Sequence, residues 1–171
     1  MKTINAVKIE TPLGEMYACA TEKGICMLEF ADDKKSIDKQ MDAIGKYFGS
    51  QIVFGQQDKY LAELQKQLAL YFAGKLTEFT FPLDMAGTEF QKKAWGVMRA
   101  IPYGKTISYK QEAESVGDPK AVRAVAGANG RNRIAIVIPC HRVIGSDGSL
   151  TGYSAGIERK KWLLELESRA K

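Results

Sequence analysis

The sequence predicts an α+β chain in two parts, with strands and turns first and helices after. Three observations lead there. The stretch "NAVKIETPLGEMYACATEKGICMLEFA" alternates apolar and polar residues between turn signals at Pro12-Leu13-Gly14 and Lys23-Gly24. Apolar residues then recur at helical spacing, and helix-capping signals crowd the second half. Between the two parts, Pro82 and Met85-Ala86-Gly87 read as a linker, which sets the expected domains at 1–87 and 88–171.

The totals agree with such a chain. At 171 residues it can bury a real core, and 45% apolar with 26% charged residues is ordinary for a soluble globular protein. No stretch approaches the ~18 apolar residues of a membrane span, and the first residues alternate rather than forming a signal-peptide core. Cys19, Cys26 and Cys140 are an odd set without C-x-x-C spacing, which argues against a disulfide framework and against a metal site. A reduced, cytoplasmic protein is the expectation.

The net charge of +5 is unevenly spread. Residues 1–87 hold 10 Lys against 12 Asp or Glu, whereas residues 88–171 hold 15 Lys plus Arg against 8 acids. All seven arginines lie in the second part: Arg99, Arg123, Arg131, Arg133, Arg142, Arg159 and Arg169. Concentrated basic charge attracts polyanions, and arginine forks suit phosphates and base edges. A solvated basic surface is the alternative.

Taken in order, the strand pattern of the first thirty residues contains Cys19 and Cys26 as small core or surface residues. Ile37, Met41, Ile44 and Phe48 then mark one helix, and Leu61, Leu64, Leu68 and Phe72 a second that ends at Gly74. "TEFTFPLD" reads as a last strand. In the second part Thr88 caps a helix carrying Phe90, Ala94, Trp95 and Met98, which Ile101-Pro102-Tyr103-Gly104 stops. Ser108 and Gln111 form a capping box for a short helix ending near Gly117. Asp118 is expected to cap the next helix, with Pro119 at its first position and Gly130 near its end. Two short helices joined by a tight glycine turn make a helix-turn-helix candidate. In "KAVRAVAGANGRNR" the expected inward stripe is Val122, Val125 and Ala126. Ala121, Ala124, Gly127, Ala128 and Gly130 leave the remaining surface nearly bare, so it can approach a partner closely. Tight packing inside the domain is the alternative.

"AIVIPCHRVIG" then sets Cys140 beside His141, the only histidine of the chain. Cysteine attacks as the thiolate, and a free thiol near ~8.5 is only slightly ionised at neutral pH. His141 and Arg142 are the local groups that can correct this. Adjacent side chains of an extended segment diverge, so contact between Cys140 and His141 needs a bent backbone, which Pro139 allows, or a bridging water. The imidazole also needs an orienting partner. Glu167 is the candidate, because it falls on the apolar side of the last helix with Leu163 and Leu164. A solvated glutamate at a frayed helix end is the alternative.

"IPCHRVIG", "GYSAGIERKKWLL", "FQKKAWGVMRAIPYGKTISY" and "AVRAVAGANGRN" together closely resemble the O6-alkylguanine-DNA alkyltransferases, or methylated-DNA–protein-cysteine methyltransferases. The resemblance covers residues 88–168 in ordered motifs. Over residues 1–87 it rests mainly on "YFAGKLTEFTFPLD".

This resemblance implies an α+β fold with a small N-terminal sheet-and-helix domain packed on a mostly helical DNA-binding and catalytic domain. It implies single-turnover repair of O6-alkylguanine, with O4-methylthymine as a further substrate, by flipping the nucleotide and moving the alkyl group to Cys140. His141 would act as base through a water, Glu167 would orient it, and Asn132 would tie the recognition element to the active-site loop. Arg123 would fill the stack left by the flipped base. Tyr109 would help rotate the 3′ phosphate, bond the flipped base and protonate the leaving guanine. Pro139, Val143, Tyr153, Ser154 and Ala155 would wall the alkyl pocket. The partner implied is double-stranded DNA, met through the minor groove by the helix from about Pro119 to Gly130, with Ala121, Ala124, Gly127, Arg131 and Arg133 in contact. A monomer without metal or organic cofactor is expected.

Three departures from the family pattern stand out. Arg133 replaces the proline that often follows the hinge asparagine, and an added phosphate contact is expected from it. No histidine occurs in residues 1–87, so the zinc site of some relatives is not expected. Ala155 stands where side-chain size varies among relatives. Two other classes compete. A lesion-recognition protein without catalysis would lack the cysteine, and a cysteine hydrolase would leave Arg123 and the alanine-rich helix without a role.

Overall fold

A computed structural model describes residues 2–169, and the chain divides into two compact units between Ala86 and Gly87. The fold is α+β, as the sequence predicts.

In the first unit, β1 (Thr3–Thr11), β2 (Gly14–Thr21) and β3 (Gly24–Phe30) form an antiparallel meander. A fourth strand, β4 (Gln51–Phe54), adds parallel to β1 and completes the order β3-β2-β1-β4. The sequence gives no sign of β4, because four residues carry too little alternation to stand out. The two expected helices are α1 (Lys34–Phe48) and α2 (Lys59–Phe72). Each starts at an aspartate, Asp33 or Asp58, whose carboxylate accepts from a first-turn N–H. Ile37, Met41 and Ile44 of α1 pack with Ile4, Ala6, Cys19, Cys26 and Met27. Both cysteines are thus core residues.

The strand expected at "TEFTFPLD" does not form. Its backbone meets the sheet at an isolated bridge, where Ile25 N donates to the Pro82 carbonyl and Asp84 N to the Ile25 carbonyl, and the Asp84 carboxylate accepts from Thr21 Oγ1 at 2.6 Å. Pro82 has no N–H for a ladder, and the Thr80 N–H is taken by the Gln67 side chain at 2.9 Å.

The second unit is built on α3 (Glu89–Arg99), α4 (Tyr109–Ser115) and α5 (Val122–Gly130), whose small side chains Ala94, Ala113, Val125 and Ala128 form one cluster with Val116. Thr88 caps α3 and Ser108 caps α4, each through a complete capping box. Trp95 Nε1 donates to the Ala128 carbonyl at 2.9 Å, which pins α5 to α3. Gly117, at φ 99°, makes the turn between α4 and α5.

The start and the inward face of α5 differ from expectation. Asp118 and Pro119 lie in a turn where the Asp118 carboxylate accepts from Lys120 N, and α5 begins at Val122 without a side-chain cap. Val125, Ala128 and Asn129 face inward, whereas Val122 and Ala126 are exposed. Val122 stands at the exposed first position of α5, and an alanine-rich helix lets packing decide which face turns in.

Two short strands, β5 (Ile107–Ser108) and β6 (Val143–Ile144), pair in parallel and tie the start of α4 to the thiol segment. The last helix, α6, spans Ile157–Arg169. Among the described residues no helix is long and apolar enough to cross a membrane.

Candidate active site

The apolar run before Cys140 is a compact knot rather than an extended strand. Val137 N donates to the Ala135 carbonyl at 2.8 Å and Ile138 N to the Ile134 carbonyl at 3.0 Å. Ile136, 1% exposed, is held at φ 71°. For a β-branched residue that backbone is strained by about 1–3 kcal/mol, which the surrounding packing must hold. Asn132 clamps the knot. Its Oδ1 accepts from Ile134 N at 2.9 Å, and its Nδ2 donates to the Ile138 carbonyl at 2.8 Å and to Cys140 Sγ at 3.4 Å.

Cys140–Arg142 is one turn of 3-10 helix, so the backbone bends where Pro139 allows it to. All three side chains of this turn are buried. The turn meets α6, which carries Lys160, Leu163, Leu166 and Glu167 on its buried side. Leu164, expected on that face, is half-buried.

Glu167, 1% exposed, is the hub of the site. It lies 2.7 Å from His141 Nε2 and accepts from Arg142 Nε at 2.8 Å and Arg142 Nη2 at 3.0 Å. Arg142 Nη1 donates to the Ile101 carbonyl at 2.7 Å. Burial alone would push the Glu167 carboxyl up, but the hydrogen bonds and charges of His141 and Arg142 win and hold it at about 2. Burial also drives His141 below its ordinary value, against the pull of Glu167.

The consistent state is an ionised Glu167 balanced by Arg142, with His141 neutral. A carboxylate can only accept, so the imidazole proton sits on Nε2 and Nδ1 carries the lone pair. Nδ1 is buried without a hydrogen-bond partner among the described residues. The structure thus presents a neutral imidazole, aimed by a buried carboxylate, one residue from a buried thiol.

Lys160 is a site residue that the sequence reading does not single out. It is fully buried, its Nζ donates to the Val143 carbonyl at 2.7 Å and the Thr151 carbonyl at 3.1 Å, and it stands 5.9 Å from the centre of the Tyr109 ring. Burial pushes Lys160 down, while the charge of Cys140 opposes that. The signal is present, since Lys160 lies three and seven residues before Leu163 and Glu167 on one helix face. Arg142 stands out in the sequence only as a neighbour of the thiol, because nothing local says that it reaches α6.

The other expected residues fall in three places. Tyr109, half-buried, opens α4. Arg123, Ala124 and Gly127 are exposed on α5, with Ala121 half-buried before it; exposed Arg131 and half-buried Arg133 follow. Pro139 and Val143 are buried beside the thiol turn, whereas half-buried Tyr153 and Ala155 and exposed Ser154 lie in the loop before α6.

Residues 89–169 match the family model of the 6-O-methylguanine DNA methyltransferase DNA binding domain, and residues 6–85 match that of its ribonuclease-like domain. The chain belongs to this methyltransferase family. The methylated-DNA–protein-cysteine methyltransferase of Mycobacterium leprae is 53% identical over 164 residues, covering 96% of this chain and 92% of that one. The protein of that name from Methanosarcina barkeri is 46% identical over 159 residues, covering 93% and 94%. The crystal structure of Mycobacterium tuberculosis OGT in complex with DNA superimposes with a TM-score of 0.80 at 38% identity, covering 98% of this chain and 94% of that one.

Proposed function

We propose that this methyltransferase repairs DNA by direct reversal, moving an alkyl group from O6 of guanine in duplex DNA to Cys140. The observation that carries the reading is the buried network of His141, Glu167 and Arg142 beside the Cys140 thiol. The Cys140 proton passes through a water to His141 Nδ1, and the resulting imidazolium is stabilised by Glu167. The thiolate attacks the O6-alkyl carbon in line. The S–C bond forms as the C–O bond breaks, and Tyr109 supplies the proton that neutralises the leaving guanine. No further reactant is needed to balance the step. The thioether product is a poor leaving group, so each molecule reacts once.

O6 is out of reach of a buried thiol while the base is stacked, so the nucleotide must leave the helix at a cost of a few kcal/mol. Arg123 on the exposed face of α5 fills the gap, and Arg131 and Arg133 contact phosphates. The small residues Ala121, Ala124 and Gly127 let α5 approach the minor groove closely. Asn132 joins the end of α5 to the Cys140 knot. Pro139, Val143, Tyr153, Ser154 and Ala155 wall the alkyl pocket, and Lys160 holds its floor by bonding to Val143 and Thr151. The protein acts as a cytoplasmic monomer, residues 1–86 supporting the catalytic unit.

The test is a turnover count. Protein mixed with a tenfold excess of duplex carrying one O6-methylguanine should demethylate one equivalent and stop. Continued turnover overturns the reading.

A further inference from the structure

One buried carboxyl group takes no part in this chemistry. Glu112 lies on α4 and is 0% exposed. Its Oε1 accepts from Asn129 Nδ2 on α5 at 2.6 Å. Its Oε2 and the Oδ1 of Asn129 are both fully buried and have no hydrogen-bond partner among the described residues. Two acceptors on one pair of side chains cannot satisfy each other. A single proton on Oε2 removes the conflict. The O–H donates to Asn129 Oδ1, the Asn129 amide keeps donating to Oε1, and the pair closes with two bonds.

Among the described residues no neighbouring cation offers the ionised form another partner. From α3 the buried face presents Ala94, Trp95 and Met98, and from α5 Val125, Ala128 and Asn129. β5 and β6 carry no ionisable side chain. Glu89, Lys92, Lys93 and Arg99 on α3, Lys110 and Glu114 on α4, and Arg123 on α5 are exposed or half-buried, and none of them acts on the carboxyl.

We infer that Glu112 is a positioning residue kept as the neutral carboxylic acid, and that its doubly bonded pair with Asn129 holds α5 against α4 until the carboxyl ionises. Burial pushes this carboxyl up to about 7, against the opposing effect of the Asn129 bond. The sign follows by linkage. The stabilisation is complete below the ordinary carboxylate range, declines as pH rises, and is lost above about 7. Only the consequence for DNA rests on the proposed function: the helix that carries Arg123 should loosen in mild alkali.

Glu112→Gln separates this device from plain packing, because glutamine makes both bonds and cannot ionise. The readouts are the side-chain carboxyl resonance of Glu112 in the wild-type protein and amide exchange along α5 in both proteins. Wild-type α5 protection, corrected for intrinsic exchange, should fall by more than about tenfold between pH 5 and pH 7.5. In Glu112→Gln it should stay level. A carboxyl that titrates near 4.5, the ordinary value, overturns the inference, even if the variant fails to fold. So does a variant that loses protection in step with the wild type. Duplex affinity, measured on the same samples, should weaken with pH in the wild type alone. If neither protein binds DNA at any pH while the exchange contrast persists, the proposed function fails and the pair stands.

Discussion

Replacing Glu167 by glutamine removes the charge at the centre of the site and keeps the size. Holding the carboxyl at about 2 instead of 4.5 corresponds to about 3 kcal/mol of stability at neutral pH. Losing the charge also leaves Arg142 buried without its counter-ion, and breaking one side of a buried pair costs about 3–5 kcal/mol. These are two views of one interaction and do not add. We therefore expect Glu167→Gln to lose about 3–5 kcal/mol in urea unfolding at pH 7. A depressed carboxyl stabilises above its ordinary value and loses that contribution as pH falls toward 2, so the gap between the two proteins should narrow by about 2 kcal/mol at pH 3. Single-turnover methyl transfer should slow by about 10²–10⁴-fold, because the imidazolium formed on His141 loses its anion. A variant within about 0.5 kcal/mol of the wild type at pH 7, or a gap that does not change with pH, would refute the account of Glu167 as an ionised hub.

Further outcomes follow from neighbouring groups. Asn132→Ala should cost about 1–3 kcal/mol in denaturant unfolding, since Ile134 N and the Ile138 carbonyl both lose their buried partner. Arg123→Ala should leave the melting temperature unchanged, because the residue is exposed, yet slow repair of a duplex lesion far more than repair of the free modified base. Burial pushes Cys19 up to about 12 and Cys26 higher still. Iodoacetamide at pH 8 should therefore label Cys140 alone in the folded protein, as read by peptide mapping.

Elements with their own capping and periodicity are legible in the sequence. Ser108 and Gln111 specify a helix start within four residues, and that box forms as read; Thr88 caps its helix as expected, and there the structure adds Gln91 as the other half of a second box. Asp118 and Pro119 give an equally good start signal but make a turn instead, because in an alanine-rich segment the packing of Val125 and Ala128 on α3 and α4 sets where the helix begins. The thiol, its histidine and the carboxylate can be picked out by residue type and helix face. What stays hidden is long-range. Arg142 finds Glu167 across 25 residues and Glu112 finds Asn129 across 17, and no local pattern announces either pair. The knot at Ile136 is equally silent, since a run of isoleucine and valine reads as strand wherever it occurs.

The most direct test is peptide mapping after the protein is mixed with duplex DNA carrying one O6-methylguanine. The account predicts one added methyl group on the Cys140 peptide, stoichiometric with lost lesion and absent in Cys140→Ser. DNA that binds while the Cys140 peptide gains no mass would contradict it, and the roles of His141 and Glu167 in activating the thiol would fall with it.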